Sequence, residues 1–165
     1  MTVSITVFLG SESDFDVIKD GLDILKEFGV PFTLEVTSAH RSPERTLLLI
    51  RNAEKAGTAV FIAVAGKAAH LAGVIAAHTV RPVIGVPVES AALAGLDALF
   101  STVQMPKGIP VATVALGKAG GANAALLAIE ILALGNPGLA AKLIAHRKKI
   151  AADVGESSKK IQSKI

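Results

Sequence analysis

The 165-residue sequence predicts an α/β fold with one parallel sheet of five strands and helices on both of its faces. Three observations support this prediction. Short apolar, β-branched runs alternate with segments whose apolar residues recur every three or four positions. The runs are continuously apolar, which is typical of strands buried on both faces. Each run is followed by a helical segment, and this order favours right-handed crossovers between parallel strands.

Each predicted strand is a short apolar or β-branched run. In chain order, the strands are predicted at residues 3–9, 32–37, 58–63, 82–86 and 110–116. The predicted helices are residues 14–28, 43–56, 70–78, 96–103, 123–134 and 139–152. The first helix has Ser13 as its expected N-cap and Gly29 as its stop. The second has Pro43 in its first turn and Gly57 after its end.

The length indicates one domain with a sizeable core. We expect a catalytic α/β domain at residues 1–154, with residues 135–138 separating its last two helices. Residues 155–165 are expected to form a frayed, basic C-terminal tail.

Composition excludes several classes of protein. The absence of cysteine excludes disulfides, a thiolate nucleophile and zinc–sulfur sites. The chain is 51% hydrophobic, but a membrane span needs roughly 20 consecutive apolar residues. The longest candidates, residues 58–66 and 124–134, are shorter, and Glu130 interrupts the second. The first residues contain no basic segment, so we expect no signal peptide and a cytoplasmic location.

The net charge of +3 is unevenly distributed. Residues 142–165 carry seven bases and two acids, whereas the rest of the chain carries ten bases and twelve acids. A basic end of this kind can bind nucleic acid. No aromatic residue is interleaved with these charges, so we favour a solvated helix end and predict no nucleic-acid partner.

In open α/β sheets, ligands bind beyond the carboxyl ends of the strands. The loop after the first strand begins at Gly10, which lets the backbone turn closely, and continues through Ser11, Ser13 and Asp14. Its hydroxyls lie at a helix N-terminus, where amides and the helix dipole favour an anion. The alternative is an ordinary helix cap.

The loop after the second strand contains Ser38, Ala39, His40 and Arg41. Histidine can move a proton near neutral pH, and arginine can bind phosphate or carboxylate with two hydrogen bonds. Adjacent His and Arg at the carboxyl end of a strand fit core packing poorly. We therefore favour a functional site over an exposed polar loop.

The loop after the third strand is rich in small residues. It contains Gly66, Lys67 and Ala69, and His70 and Leu71 open the next helix. Small residues allow a ligand or another helix to approach closely. From the residues alone, His70 has either a functional role or a structural one at a helix start.

The remaining loops and histidines give weaker signals. Residues 87–90 and 104–110 are long enough to line a site, and the glycine-rich residues 117–123 could receive an anion at a helix entry. His78 and His146 lie in helical surroundings, and we interpret both as structural.

The sequence has no nucleophile elbow and no cluster with metal-ligand spacing, so we predict no metal. It offers an acid–base histidine, one or two arginines and amide-rich loops. That set suits proton transfer on a bound, phosphorylated small molecule.

Six motifs in order resemble the 5-(carboxyamino)imidazole ribonucleotide mutase family of purine biosynthesis, and together they cover about residues 5–134. They are Gly-Ser-x-Ser-Asp (10–14), Ser-Ala-His-Arg-Ser-Pro (38–43), Ala-Ala-His-Leu-x-Gly (68–73), Pro-Val-Ile-Gly-Val-Pro-Val (82–88), Gln-Met-Pro-Lys-Gly-Ile-Pro-Val (104–111) and Asn-Ala-Ala-Leu-Leu-Ala (123–128).

The resemblance implies a three-layer flavodoxin-like domain, a homo-octamer, and isomerisation of the carbamate to the ring-carbon-4 carboxylate without metal or organic cofactor. It implies that Ser11, Asp14 and Arg41 bind the ribonucleotide and that His40 is the acid–base. The matching motifs also place these residues at the substrate: Gly10, Ser13, Ser38, Ala39, Gly66, Lys67, Ala69, His70 and Leu71.

Three positions depart from the family pattern. Lys67 and Ala72 stand where glycine and proline are common, and Val64 stands where glycine is frequent. Loss of the proline frees the loop. Lys67 adds a cation that either pairs with substrate or points to solvent.

Two other functions remain open at this point. One is direct carboxylation of aminoimidazole ribonucleotide with carbon dioxide. The other is a non-catalytic module that binds a nucleotide or a flavin. The chain has no Trp or Tyr to stack on a flavin ring, which disfavours flavin as the ligand. Whatever the function, we expect a homo-oligomer, because residues 122–134 are apolar on more faces than one core contact needs.

Overall fold

The structure is a computed structural model that describes residues 4–91 and 93–165. Its strands are β1 (Ser4–Leu9), β2 (Phe32–Val36), β3 (Thr58–Gly66), β4 (Val83–Val88) and β5 (Ala112–Thr113). Its helices are α1 (Phe15–Phe28), α2 (Pro43–Lys55), α3 (Leu71–Ala76), α4 (Leu96–Val103), α5 (Gly117–Ala133) and α6 (Pro137–Gln162).

The strands form one parallel sheet in the order β2-β1-β3-β4-β5, with helices on both sides. The predicted fold class is confirmed. The predicted start of the first strand at Val3 lies outside the described residues. Because all the strands are parallel, their carboxyl ends and the loops that follow them share one edge of the sheet.

The central strands carry the core. The rings of Phe8 in β1 and Phe61 in β3 are fully buried and stack with their centroids 5.9 Å apart. They belong to one apolar cluster with Ile50 of α2, Ile75 of α3 and Ala98 of α4. Burying a large apolar side chain stabilises a fold by about 1.5–3 kcal/mol. This cluster therefore anchors three helices to the sheet that carries the loops.

Several predicted boundaries were wrong. β3 continues to Gly66, because its last residues pair with the end of β4. β5 contains two residues instead of seven, at the edge of the sheet. Before β5, Pro110 has no amide hydrogen to donate to the neighbouring strand. After β5, the backbone N–H of Val114 donates to the carbonyl of Gly85, and the chain then enters α5 at Gly117.

The predicted glycine-rich entry at residues 117–123 is part of α5 itself. Added Cβ atoms at Gly120 and Gly121 would strike the backbone carbonyls of Ala115 and Val17. These glycines are therefore close-packing positions inside a helix, which is why the expectation of a loop was wrong.

The chain divides into two compact units, one ending at Ile129 and the other covering Glu130–Ile165. In the second unit α6 begins with Asn136 as its N-cap and Pro137 in its first turn. α6 continues to Gln162, so most of the segment predicted to be frayed is helical. Lys159 pairs with Glu156 at 2.7 Å there, although exposed pairs of this kind contribute little stability. The predicted domain boundary at residue 154 stays a prediction.

No helix of the described residues is long and apolar enough to cross a membrane.

Candidate active site

A cavity of about 730 Å³ opens at the carboxyl ends of β1, β2, β3 and β4. Twelve of the thirteen residues predicted for the site line it: Gly10, Ser11, Ser13, Asp14, Ser38, Ala39, His40, Arg41, Gly66, Lys67, His70 and Leu71. The other predicted residue, Ala69, is buried in the apolar core. The structure therefore brings three separate loops together in one pocket.

The cavity also contains residues that were not predicted individually as site residues. They are Ala65, Ala68, Val88, Glu89, Ser90 and Ala91. Glu89 and Ser90 directly follow β4 and belong to residues 87–90, the loop predicted to be long enough to line a site. Among the described residues, neither 104–110 nor 117–123 lines the cavity.

Asp14 is held in place by the first loop. Ser11 caps a 3-10 turn at Glu12–Asp14, and its backbone N–H donates to Oδ2 of Asp14 at 3.0 Å. Ser13 was predicted to cap the first helix, but α1 starts at Phe15, and the hydroxyl of Ser13 instead donates to the hydroxyl of Ser11 at 2.9 Å.

The side chain of Asp14 is an unusual carboxyl group because the residue is only 7% exposed. Burial raises the pKa of Asp14 above its ordinary value, while the hydrogen bond from the backbone N–H of Ser11 opposes that rise. A buried carboxylate at the wall of a pocket can accept hydrogen bonds from hydroxyl groups of a ligand.

Ser38 organises the second loop. Its hydroxyl accepts from the backbone N–H of Arg41 at 3.2 Å and from Nε of Arg41 at 3.4 Å. The hydroxyl of Ser42 donates to the carbonyl of Ser38 at 3.1 Å. These bonds fold the chain back on itself and leave the side chain of His40 exposed in the cavity.

The third loop brings a second histidine to the first. Nε2 of His40 and Nδ1 of His70 are 2.9 Å apart, and the two rings meet edge to face. His70 begins α3. In the same loop Lys67 has a φ of 55°, in the left-handed region that favours glycine, and its side chain is exposed.

The pocket combines cationic and anionic side chains. Arg41 and Lys67 are its fixed cations, and Asp14 and Glu89 are its carboxyl groups. No group of three potential metal ligands occurs in the described part of the chain. The arrangement can bind an anionic ligand and exchange a proton with it through an imidazole.

Comparison with known proteins identifies the family. Residues 4–153 match the family model described as AIR carboxylase. The chain belongs to this family. An N5-carboxyaminoimidazole ribonucleotide mutase of Methanocaldococcus jannaschii is 51% identical to this AIR carboxylase family member, over 96% of this chain and 97% of the relative. The protein of that name from Escherichia coli strain K12 is 49% identical, over 93% of this chain and 90% of the relative.

A solved structure supports the same kinship. The crystal structure of Treponema denticola PurE superposes on this AIR carboxylase family member with a TM-score of 0.86 and 27% sequence identity. The match covers 96% of this chain and 98% of that chain. The sequence-based resemblance to this family is confirmed.

Proposed function

We infer that this protein is an isomerase of purine biosynthesis that interconverts 5-(carboxyamino)imidazole ribonucleotide and the isomer carboxylated on ring carbon 4. Curated relatives near 50% identity, matched over most of their length, bear the mutase name. The observation that carries the proposal is the meeting of His40 and Arg41 with the first and third loops in one pocket.

The substrate would be held by its ribose and phosphate. Asp14 accepts hydrogen bonds from ribose hydroxyls, Ser11 lies at the amide-rich turn, and Arg41 binds an anionic group with its guanidinium. The other lining residues of the three loops shape the pocket around the ring. Lys67 is the remaining cation available to a phosphate or carboxylate of the substrate.

His40 performs the acid–base steps in this proposal. It donates a proton to the carbamate nitrogen, and the carbon–nitrogen bond breaks to release carbon dioxide. The aminoimidazole ring is then nucleophilic at carbon 4 and attacks the retained carbon dioxide. His40 takes the proton from carbon 4, which restores the aromatic ring. Holding the reactants together supplies much of the acceleration.

The small residues of the pocket support retention of the carbon dioxide. Ala39, Ala65, Gly66 and Ala68 line part of the cavity and contribute no polar group of their own side chains to it. We propose that the reaction requires no metal or organic cofactor. The mutase names of the relatives do not favour direct carboxylation or a non-catalytic nucleotide-binding module.

A conversion assay with two substrates tests the function. The carbamate supplied without bicarbonate should be converted, whereas aminoimidazole ribonucleotide with bicarbonate should react far more slowly. The opposite preference would favour direct carboxylation. Flavin absorbance on purification, without turnover of either substrate, would favour the binding module.

A matched pair of variants tests the role of His40. Replacing it by Asn should lower kcat by about 10²–10⁴-fold, because that is the usual contribution of an acid–base group. Ribonucleotide binding should largely survive. The control is His78→Asn, since His78 is exposed and lies outside the cavity. A His40→Asn protein with nearly normal turnover would remove His40 from the mechanism.

The proposal includes a homo-oligomer, with eight subunits by family resemblance. Leu93, Leu96, Phe100 and Val103 form an apolar stripe along α4 and the turn before it, and each is about half exposed. Such a stripe favours contact with another subunit. Light scattering at micromolar concentration should detect an assembly, and a monomer would contradict it.

A cytoplasmic location is the last part of the proposal. A phosphorylated substrate carries charges that prevent it from crossing a bilayer unaided. Cell fractionation should recover the protein with cytoplasmic enzymes, and its recovery in the membrane fraction would contradict this location.

A further inference from the structure

The contact between His40 and His70 joins two loops that are thirty residues apart in sequence. Nε2 of His40 lies 2.9 Å from Nδ1 of His70, which is a hydrogen-bonding distance, and the rings are nearly perpendicular with centroids 5.0 Å apart. The side chain of His70 makes no capping bond to α3 among the described residues, so its Nδ1 is committed to His40. The pair lies in the wall of the cavity.

The donor and acceptor follow from the chemistry of the acid. A histidine that is about to give up a proton carries hydrogens on both ring nitrogens. Nε2 of His40 must then donate to Nδ1 of His70, and that acceptor role leaves the single proton of neutral His70 on its own Nε2. No described residue bonds Nδ1 of His40, so this nitrogen is available to a substrate.

We infer that His70 is the positioning residue for the acid–base histidine: it accepts the Nε2–H of His40, stabilises the charged imidazolium and directs Nδ1 of His40 to the substrate. This inference rests on the proposed function. Here His70 acts through His40, which is a role beyond a general place in the substrate pocket. An orienting acceptor behind a catalytic imidazole fixes its tautomer and ring orientation.

The proton balance is complete without a further reactant. The Nδ1–H bond of His40 breaks as a nitrogen–hydrogen bond forms on the carbamate. The electron pair of the breaking carbon–nitrogen bond stays on that nitrogen, and carbon dioxide leaves. After carbon 4 attacks carbon dioxide, its proton returns to Nδ1 of His40. His70 keeps its own proton throughout.

Other charged groups in the pocket also influence a pH profile. Those that line the cavity with the histidine pair are Asp14, Arg41, Lys67 and Glu89. They are unchanged in every variant below, so the profiles are compared with that of the wild-type protein. A difference then reports on the histidine pair.

The decisive comparison is between His70→Ala and His70→Asn. Alanine removes the acceptor, whereas the side-chain oxygen of asparagine branches from the same carbon as Nδ1 and can accept the same bond. His70→Ala should lower kcat by roughly 10- to 100-fold with little change in KM, since hydrogen bonds to charged groups have about this value. His70→Asn should recover most of the loss, and His78→Asn should match the wild type.

The pH profile separates positioning from a structural role. Without its acceptor the imidazolium of His40 is less stable, so the alkaline limb of kcat should move to lower pH in His70→Ala and return in His70→Asn. Wild-type kcat in His70→Ala would overturn the inference. The inference would also be overturned if both variants showed the same rise in KM while the alkaline limb of kcat stayed at its wild-type pH. That result would indicate that His70 contacts the substrate.

A measurement without substrate keeps this test independent of the proposed function. If the wild-type protein fails to convert the carbamate, the proposed function fails. Ring ¹⁵N NMR of the unliganded protein then still tests the pair. The signals of His40 should change in His70→Ala and stay unchanged in His78→Asn, and an unchanged His40 in both variants would overturn the inference.

Discussion

The crossing of α1 and α5 depends on two glycines that let the helix backbones touch. A Cβ on Gly121 would overlap the carbonyl oxygen of Val17 and would lie 3.1 Å from Cα of Ile18. A Cβ on Gly21 would overlap the carbonyl of Gly121 in turn. The obstacle is backbone on both sides, so no side chain can rotate to make room. We therefore predict that Gly121→Ala destabilises the protein.

The magnitude follows from two opposing effects. Overpacking a close contact costs about 1–3 kcal/mol, and backbone obstacles belong at the upper end of that range. Alanine regains about 1 kcal/mol of helix propensity. The net loss is about 2 kcal/mol in the free energy of unfolding. For a chain of this size, that corresponds to a Tm lower by roughly 4–8 °C.

Thermal and urea unfolding, followed by circular dichroism at one protein concentration, would measure this loss. Gly155→Ala is the matched control, because a Cβ there meets no described atom within 4 Å and the residue lies inside α6. The control should stabilise the protein by up to about 1 kcal/mol. A Gly121→Ala protein as stable as the wild type would refute the close-packing argument.

Three further predictions concern stability and the site. Burial raises the pKa of Asp14, so the folded protein is destabilised when this carboxyl group loses its proton. The free energy of unfolding of the wild-type protein should therefore fall, relative to that of Asp14→Asn, as the pH rises from the ordinary aspartate pKa of about 3.9 through the raised pKa. Above the raised pKa the difference between the two proteins should be constant. Melting curves from pH 3 to 7 should show this trend, and a pH-independent difference would contradict it. Thr6→Val should cost about 1–3 kcal/mol, because it leaves the hydroxyl of Thr58, 2.7 Å away, unpaired in the core. Urea unfolding should show that adding Thr58→Val recovers part of this loss. Lys67→Gly should relieve about 1 kcal/mol of left-handed backbone strain and raise Tm. If the cation binds substrate, KM should rise at the same time, and an unchanged KM would assign Lys67 to solvent.

Much of the fold was predictable because its signals are local. The apolar runs of β1, β3 and β4 and the amphipathic spacing of α1 lie within short windows of sequence. The boundaries that failed depend on contacts from elsewhere. β5 is short because only two of its residues pair at the sheet edge, and that number is set by the neighbouring strand.

The candidate site was predictable to a similar degree. The rule that ligands bind beyond parallel strands selected the first three loops, and twelve of their thirteen chosen residues line the cavity. Ala69 does not line the cavity, because neighbouring residues of a loop can face opposite ways and its side chain packs in the core. Glu89 and Ser90 were predicted only as part of a loop long enough to line a site, because their residue types alone do not separate a site wall from an exposed loop.

By itself, the sequence determined the alternation of strands and helices, the parallel sheet, the edge of the sheet at which the cavity lies and, through ordered motifs, the family. These properties follow from hydrophobic periodicity and short-range spacing. Only the tertiary structure decided that His40 and His70 share a hydrogen bond and that Gly21 meets Gly121. Both are contacts between distant segments, and they form only when the packed sheet brings its loops and helices together.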